Sequence, residues 1–483
     1  MRQTSYLLLS LFLLLGFTAC HDDMDDVLRP ASSLEIKRFI WRGMNDVYLY
    51  KEDVPDLADS RFANQQELDD FLKTFSSPED LFYNGLVAEQ DDFSFLVEDY
   101  LELERSLDGI NVTNGMQFGL IRYTSTSEEV LGYVRYVLPG TSAEEKGIQR
   151  GDYFNTVDGV QLTADNFSRL LEPATYTIGL AKIEGDVISS TGETVTLEKH
   201  EYTTNPVYIA TTIDTPEGKI GYLMYNGFTG NFDKVLNETF GMFKTEGITD
   251  LVVDLRYNSG GSVESAKDLG SMITGQINDE IFYTEQWNQD YQTYLEENQP
   301  ESLENRFDNR ISNGNTINSL GLNRVYVITT LRTASASELL INGLSPYIEV
   351  VQVGERTVGK FQASTTLYDS PDFRRKDANT GHTYAIQPLI YKTVNASGYT
   401  DFHEGLLPDI ELKEDIRNLG VLGDPEEPLL QAALNAIQGL PQQFSTQNHL
   451  FNEIVGESGM KDLLYQKMFT KEGLPLSAQE VMN

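Results

Sequence analysis

Residues 325–344 read VYVITTLRTASASELLINGL, which predicts a short apolar strand over 325–329, a polar turn, and a helix from about Ser335 to Leu344. The same alternation recurs along residues 205–415, where further apolar strands are predicted at 220–224, 251–255 and 349–353. Continuous apolar strands separated by helices favour a mostly parallel sheet that is covered on both faces. A catalytic group between such a strand and its helix is expected at the carboxyl edge of the sheet.

Ser335 stands in this turn, and Lys360 follows it 25 residues later. A serine hydroxyl is a weak nucleophile at neutral pH, and a desolvated lysine amine can act as its base. The lysine must then be mostly neutral, so its pKa has to fall from about 10.4 towards 7, which corresponds to roughly 4–5 kcal/mol against the charged form. Burial beside apolar neighbours such as Val358 and Phe361 can supply this. The pair predicts a hydrolase without a catalytic histidine.

Length and charge limit the other function classes. The chain has 483 residues, enough for roughly three domains of about 150 residues each. Its formal net charge of -38 repels nucleic-acid phosphates and anionic lipid surfaces, so nucleic-acid binding is not expected. Only five histidines are present, and none has metal-ligand spacing with another histidine or with cysteine. We therefore predict no metal and no cofactor.

An N-terminal targeting segment is predicted over residues 1–19, where a positively charged start precedes an almost entirely apolar run. Its end reads FTAC and resembles the lipobox of bacterial lipoproteins, in which the signal is cut before the cysteine and the thiol of Cys20 is lipidated. The alternative is a plain secretory signal. Residues 20–34 are predicted to form an acidic tether. It resembles the acidic signals that direct some Gram-negative lipoproteins to the outer face of the outer membrane. These resemblances imply a bacterial cell-envelope protein that is lipid-anchored to the outer membrane and either periplasmic or surface-exposed.

Two regions are predicted to be helical. Residues 35–110 show apolar positions at helical spacing, and residues 416–483 contain a helix that begins at Pro428. Between them, the polar stretch 276–320 carries scattered aromatic residues. It is either an insertion that shapes a substrate channel or a surface lobe.

Residues 111–200 change to short strands broken by turns, with the turn dipeptides Gly151-Asp152 and Asp158-Gly159 on either side of a half-buried strand. The order of a strand, Pro-Gly, a short helix, Gly-Asp, a strand and Asp-Gly resembles a PDZ domain. Such domains bind an extended peptide C-terminus by strand addition. The resemblance implies that the peptide-binding strand contains Phe118, Gly119, Leu120 and Ile121. The alternative is that these residues only pack a small barrel.

Three blocks in the following region share the order of one protease family. Residues 254–261 read DLRYNSGG, residues 333–338 read TASASE, and Gly359 precedes Lys360. Together with the PDZ-like segment they resemble the C-terminal processing peptidases, also called tail-specific proteases. The resemblance implies a multidomain α/β fold. Its parts are a crotonase-like, ββα-type peptidase core with a parallel sheet over 205–415, a preceding PDZ β-barrel and an N-terminal helical domain.

The resemblance also implies the roles of the site residues. Ser335 matches the family nucleophile and Lys360 its general base, whereas Ser337 is the competing serine in the same block. The oxyanion hole is then formed by the backbone N–H of Ala336 and by Gly260 or Gly261, and we favour Gly260. The family commonly has a glutamine four residues after the lysine, where this chain has Ser364. Either Ser364 or the shifted Gln362 is therefore predicted to orient the amine.

The function implied is an envelope serine endopeptidase that cleaves protein or peptide substrates through an acyl-enzyme on Ser335 and holds their free C-termini in the PDZ-like domain. One alternative is a weak or inactive peptide-binding adaptor with a protease-like fold. Another is a conventional triad in which His382 or His403 serves Ser335. The oligomeric state and the natural substrate are left open by the sequence.

Overall fold

The computed structural model describes residues 29–442, 454–470 and 474. The predicted signal peptide, Cys20 and most of the acidic tether lie outside these residues, so the lipid anchor stays a prediction. Among the helices of the described ranges, none is long and apolar enough to cross a membrane.

The N-terminal region is mainly helical, in agreement with its sequence pattern. Its first helix, Ser33–Val47, begins with a capping box in which Ser32 Oγ accepts the Glu35 N–H at 3.3 Å and the Glu35 carboxylate accepts the Ser32 N–H at 2.7 Å. These bonds satisfy N–H groups that a helix start leaves unpaired. The remaining elements are the helices Gln65–Leu72, Pro78–Leu81 and Tyr100–Leu107, the 3₁₀ turns Lys51–Asp53 and Pro55–Leu57, the π turn Phe82–Leu86 and the strand Phe95–Val97.

An antiparallel sheet dominates the next region. Its strands, in sheet order, are Ile454–Glu457, Met116–Arg122, Val130–Val137, Tyr153–Val157, Thr175–Glu184 and Val187–Glu198, with Val160–Gln161 beside Tyr153–Val157. Asp158 and Gly159 make the predicted tight turn, with φ of 51° and 75°. Two short helices, Ser142–Glu145 and Phe167–Leu170, lie between strands, and Ile110–Thr113 pairs with His200–Thr203.

The predicted parallel sheet follows. Its strands, in sheet order, are Val207–Thr215, Gly218–Tyr225, Asp250–Asp254, Arg324–Thr329, Glu349–Gly354 and Ile410–Glu411, and all neighbours are parallel except the first pair. The helices of this region are Asp233–Glu246, Val263–Thr274, Ala336–Leu344 and Pro428–Ile437, with a 3₁₀ turn at Gly230–Phe232. Because Asp250–Asp254 and Arg324–Thr329 are neighbours, the loops at their carboxyl ends meet.

A second mixed sheet stands beside these loops. Its strands, in order, are Gly261–Ser262, Met468–Thr470, Gln362–Thr365, Leu389–Val394, Ile281–Trp287 and Glu304–Arg306. A small third sheet joins Phe95–Val97, Ala385–Gln387 and Leu367–Tyr368. Within the polar stretch 276–320, helix Gln289–Asn298 and the 3₁₀ turn Pro300–Leu303 are present, and Asn288 Nδ2 donates at 3.2 Å to the carbonyls of Asp46 and Tyr48. This stretch therefore packs on the N-terminal helices.

The C-terminal region differs from its prediction. Helix Pro428–Ile437 is present, but the described residues beyond it form two strands, Ile454–Glu457 and Met468–Thr470, that join two different sheets. The prediction of a helical region over 416–483 is wrong for these strands. Both are too short to show a period of two in the sequence, and their hydrogen-bond partners lie far away in the chain.

Candidate active site

Ser335 lies where the chain leaves strand Arg324–Thr329 and enters helix Ala336–Leu344, and it is fully buried. Its φ of 60° and ψ of -114° are costly for a residue with a side chain, and such conformations cluster at functional sites. The Ser335 Oγ donates a hydrogen bond at 3.1 Å to the carbonyl oxygen of Gln466. The hydroxyl is thus held at the helix start and faces the C-terminal segment.

Lys360 is fully buried, and its Nζ has no hydrogen-bond partner among the described residues. The amine lies 4.4 Å from the centre of the Phe93 ring. Burial lowers the pKa of Lys360 well below its ordinary value, and the positive charge of Lys467 lowers it further, whereas Asp91 and Glu338 act in the opposite direction. The net effect favours the neutral amine that a general base requires. The sequence pattern did not predict that Phe93 lies beside Lys360.

Glu338 connects the two residues. Its carboxylate accepts the backbone N–H of Ser335 at 2.7 Å, of Lys360 at 2.9 Å and of Gly359 at 2.6 Å, and the Thr357 hydroxyl at 2.5 Å. Burial raises the pKa of Glu338 to about 7, although these four donors lower it in part. Because Ser335 and Lys360 bind the same carboxylate oxygen, their backbones lie side by side. An acid at the third helical position after Ser335 was the available sequence signal for this role.

The two glycines differ in what their N–H groups do. Gly260 donates to Oδ1 of Asn258 at 2.9 Å, whereas Gly261 donates at 2.9 Å to the carbonyl oxygen of Lys467. Their φ values of 116° and 130° favour glycine, and a Cβ added to Gly260 would lie 2.6 Å from the Cβ of Ser335. Gly260 therefore permits the close approach to Ser335. Ala336 begins the helix, so its N–H has no acceptor within the helix.

Two buried side chains hold the glycine loop. Asn258 Nδ2 donates to the Tyr225 carbonyl at 2.8 Å, and the carbonyl of Asn258 accepts the Ala334 N–H at 3.2 Å. Arg256 is fully buried and donates to both oxygens of Asp254 and both of Glu427 at 2.6–3.0 Å. The bond between Asn258 and Ala334 connects the loop after strand Asp250–Asp254 to the loop that carries Ser335, whereas Arg256 connects the former loop to Glu427 at the start of helix Pro428–Ile437.

The candidates for orienting Lys360 bind elsewhere. Gln362 Nε2 donates to the Tyr50 hydroxyl at 3.0 Å, and Ser364 Oγ donates to the Met468 carbonyl at 3.0 Å. The four predicted peptide-binding residues, Phe118, Gly119, Leu120 and Ile121, lie in strand Met116–Arg122. That strand pairs antiparallel with Ile454–Glu457. The partners of Ser364 and of strand Met116–Arg122 thus come from the chain's own C-terminal region, whereas the partner of Gln362 comes from the N-terminal region.

The competing side chains have other partners. Ser337 Oγ donates to the Asn258 carbonyl at 3.2 Å. His382 contacts Asp369 at 3.1 Å through Nε2 and accepts the Tyr384 N–H through Nδ1, whereas the His403 ring packs edge-on against Phe361. Within the described part of the chain, neither ring forms a hydrogen bond with Ser335.

One cluster of carboxylates in the described ranges has the spacing of a metal site. It consists of Glu264, Asp268 and Asp308. Lys267 Nζ already pairs with Glu264 at 2.9 Å and contacts Asp308 at 3.5 Å. Burial, together with the charge of Glu264, raises the pKa of Asp268 to about 9, so this carboxyl is protonated at neutral pH. Lys267 therefore balances part of the negative charge of this cluster.

Two family models match the chain. Residues 219–412 match the model described as peptidase family S41, and residues 35–95 match the model of the peptidase S41 N-terminal domain. A carboxyl-terminal-processing protease from a Picosynechococcus species is 25% identical over 358 residues, which cover 72% of each chain. The chloroplastic C-terminal processing peptidase of Tetradesmus obliquus is 25% identical over 293 residues, covering 58% of this chain and 56% of that protein.

Solved structures resemble the chain over most of its length. A structure described as a candidate S41 protease from Bacteroides fragilis has 26% sequence identity and a TM-score of 0.64, covering 84% of this chain and 98% of that one. The photosystem II D1 C-terminal processing protease has 20% identity and a TM-score of 0.50, with coverage of 83% and 97%. The second likeness concerns the fold alone.

Proposed function

Because the chain belongs to peptidase family S41, whose members are serine-type peptidases, we propose that it is a C-terminal processing endopeptidase with a Ser335–Lys360 dyad. One observation carries this proposal. The buried amine of Lys360 has no hydrogen-bond partner among the described residues, and the backbone N–H groups of Lys360 and of Ser335, a strained serine at a helix start, bind the same carboxylate of Glu338. An unpaired buried amine costs stability, and its neutral form can accept a proton.

The reaction is acyl transfer. Lys360 Nζ takes the proton of the Ser335 hydroxyl as Oγ forms a bond to the carbonyl carbon of the peptide. The same amine then gives its proton to the leaving nitrogen, and the C–N bond breaks to leave an ester on Ser335. In the second half of the reaction, Lys360 takes a proton from a water molecule as the water attacks the ester. The amine then returns this proton to Ser335 Oγ, and the acid is released.

The developing oxyanion needs donors that are already in place, and each good donor is worth about 3 kcal/mol or more. Gly261 and Ala336 are the donors we propose. The Gly261 N–H already binds a carbonyl oxygen, that of Lys467, whereas the Gly260 N–H is occupied by Asn258. This choice replaces the earlier preference for Gly260, because Asn258 holds that N–H inside the loop.

Cleavage of fluorescein-labelled casein tests the dyad. We expect Ser335→Ala to abolish cleavage and Ser337→Ala, the matched serine in the same block, to retain it. Absence of cleavage in both the unsubstituted chain and Ser335→Ala would instead favour the inactive adaptor. Loss of cleavage in Ser337→Ala alone would move the nucleophile to that residue.

We propose that strand Met116–Arg122 lies in a PDZ-like domain and receives the C-terminus of the substrate by strand addition. A peptide with an apolar C-terminus should bind more tightly as the free acid than as the C-terminal amide. Equal affinity of the two peptides would rule out recognition of the free carboxylate.

The sequence features of residues 1–34 further lead us to propose a lipid anchor at Cys20 in the bacterial outer membrane. Expressed in a Gram-negative host, the Cys20→Ser chain should move from the membrane fraction to the soluble fraction. Retention of Cys20→Ser in the membrane fraction would exclude this anchor.

A further inference from the structure

The C-terminal segment, defined as residues 454–470, contacts both the proposed peptide-binding strand and the residues beside Ser335. Its strand Ile454–Glu457 pairs with Met116–Arg122, with Glu457 opposite Gly119 and Gly456 opposite Leu120. Ser458 continues the pairing, because its N–H donates to the Phe118 carbonyl at 3.0 Å. The strand predicted to receive a substrate is therefore already occupied by the chain itself.

Further along, three consecutive carbonyl oxygens of the segment are bound by three residues of the proposed site. The Gln466 carbonyl accepts the Ser335 hydroxyl at 3.1 Å, and the Lys467 carbonyl accepts the Gly261 N–H at 2.9 Å. The Met468 carbonyl accepts the Ser364 hydroxyl at 3.0 Å. The hydroxyl proton of Ser335 is thus directed to a carbonyl oxygen of the segment.

Strand Met468–Thr470 occupies a further part of the proposed site. It lies between Gly261–Ser262 and Gln362–Thr365 and is parallel to both. Met468 is fully buried there, and Phe469 is almost so. A substrate peptide cannot use these two strand edges while Met468–Thr470 lies between them.

A buried ion-pair cluster holds the segment. The Glu457 carboxylate pairs with Arg135 of strand Val130–Val137 and with Arg332 of the loop before Ser335. The hydroxyl of Tyr465, in the same segment, also donates to Glu457. All three charged side chains are 9% exposed or less. Burial raises the pKa of Glu457, but the two arginines outweigh it and lower the pKa to about 2, so the carboxylate stays charged at neutral pH.

We infer that the C-terminal segment is an intramolecular inhibitor that occupies the peptide path of the proposed peptidase, with the Glu457 carboxylate as its anchor to Arg135 and Arg332. This inference rests on the proposed function for what the segment inhibits, but the docking itself does not. A cavity of about 620 Å³ is lined jointly by Phe118, Gly260, Gly261 and the segment, so the peptide path remains open along one side. An incoming peptide can begin there and displace the segment.

The test substitutes Glu457→Gln in the full chain. The change keeps the backbone strand but removes the charge. Two buried arginines then lack a counter-ion when the segment is docked, so the population of the undocked segment should rise at least about 10-fold. The matched control is Glu128→Gln, which removes an exposed carboxylate that contacts Arg122 at 3.4 Å. We expect Glu457→Gln to raise the rate of casein cleavage at least about 10-fold and Glu128→Gln to leave it unchanged. Equal and measurable rates of cleavage in all three chains would overturn the inference.

Two measurements separate this inference from the proposed function and from misfolding. Amide hydrogen exchange at Phe118, Leu120 and Gly261 reports docking without any need for activity, and it should accelerate in Glu457→Gln only. If exchange accelerates but none of the chains cleaves casein, the proposed function fails and the docking stands. If exchange is unchanged, the docking inference fails whatever the activity.

A synthetic peptide of residues 454–470 provides the second route if Glu457→Gln folds poorly. Added to the unsubstituted chain at its basal rate, the peptide should inhibit, and the same peptide with Glu457→Gln should inhibit at least about 10-fold more weakly. Inhibition of equal strength by the two peptides would overturn the anchoring role of Glu457.

Discussion

Lys360 and Arg256 both carry fully buried basic side chains, and their surroundings shift the pKa values of the two groups in opposite directions. Arg256 donates to carboxylates of Asp254, Glu427 and Glu414, and these pairs raise its pKa although burial alone would lower it. Lys360 Nζ has an aromatic ring beside it and no hydrogen-bond partner in the described chain, so burial lowers its pKa. A buried basic side chain that pairs with carboxylates therefore stays charged, whereas a buried basic side chain without such partners has a lowered pKa and can act as a base.

The largest effect is expected at the buried lysine. Lys360→Met should reduce casein cleavage by about 10⁴-fold or more, because it removes the proposed acceptor of the Ser335 proton. Thermal unfolding of the variant should occur at the same or a higher temperature, since an unpaired buried amine is removed. Cleavage within about 10-fold of the unsubstituted chain would show that Lys360 is not the base.

The paired cation should matter for stability instead. Arg256→Met leaves the buried carboxylates of Asp254 and Glu427 without a counter-ion, and it should lower the free energy of unfolding by about 3–5 kcal/mol. Arg417→Met is the matched control. Its pair with Asp186 is largely exposed, so removing it should cost less than about 1 kcal/mol in denaturant unfolding. Equal losses in the two variants would contradict the contrast.

A smaller effect is expected at the carboxylate that positions the dyad. Glu338→Gln replaces one acceptor oxygen by an NH₂ group, so two of its four donors lose their partner. The resulting shift of Ser335 against Lys360 should lower kcat by about 10²-fold and leave KM nearly unchanged. A variant in which only KM rises would assign Glu338 to substrate binding instead. Thermal unfolding of the same sample checks that the fold is retained.

The smallest effect is the pH dependence of stability. In the unfolded chain Lys360 is protonated up to about its ordinary pKa of 10.5, but in the folded chain its pKa is lower. Between the two values the unfolded state binds the additional proton, so stability rises with pH by up to about 1.4 kcal/mol per pH unit. The unfolding free energy of the unsubstituted chain should therefore increase relative to that of Lys360→Met as the pH rises through this window. A difference that stays constant with pH would mean that folding does not lower the pKa of Lys360.

Much of the core could be predicted from the sequence because its signals are local. The strands predicted at 220–224, 251–255, 325–329 and 349–353 are all present, and their runs of apolar residues match burial on both faces of a parallel sheet. The helix after Ser335 begins at Ala336, where a serine followed three residues later by a glutamate is a helix-start pattern.

The surroundings of the dyad could not be predicted in the same way. Phe93 lies in a short loop of the N-terminal region, and nothing in its own neighbourhood indicates that it packs against the amine of Lys360. The occupied N–H of Gly260 depends on the side-chain orientation of Asn258, which no spacing reveals. Strand Met468–Thr470 has three residues, too few for any periodic pattern.

The sequence by itself determined the order of strands and helices in the core, the turn that carries Ser335, and the lysine that the family pattern pairs with it. The first two follow from hydrophobic periodicity and turn chemistry within short windows, and the third follows from the family resemblance. Only the tertiary structure decided that the amine of Lys360 has no hydrogen-bond partner among the described residues, that Glu338 joins the backbone of Lys360 to that of Ser335, and that residues 454–470 lie across the site. The physical reason is that desolvation and strand pairing depend on groups brought together from distant parts of the chain.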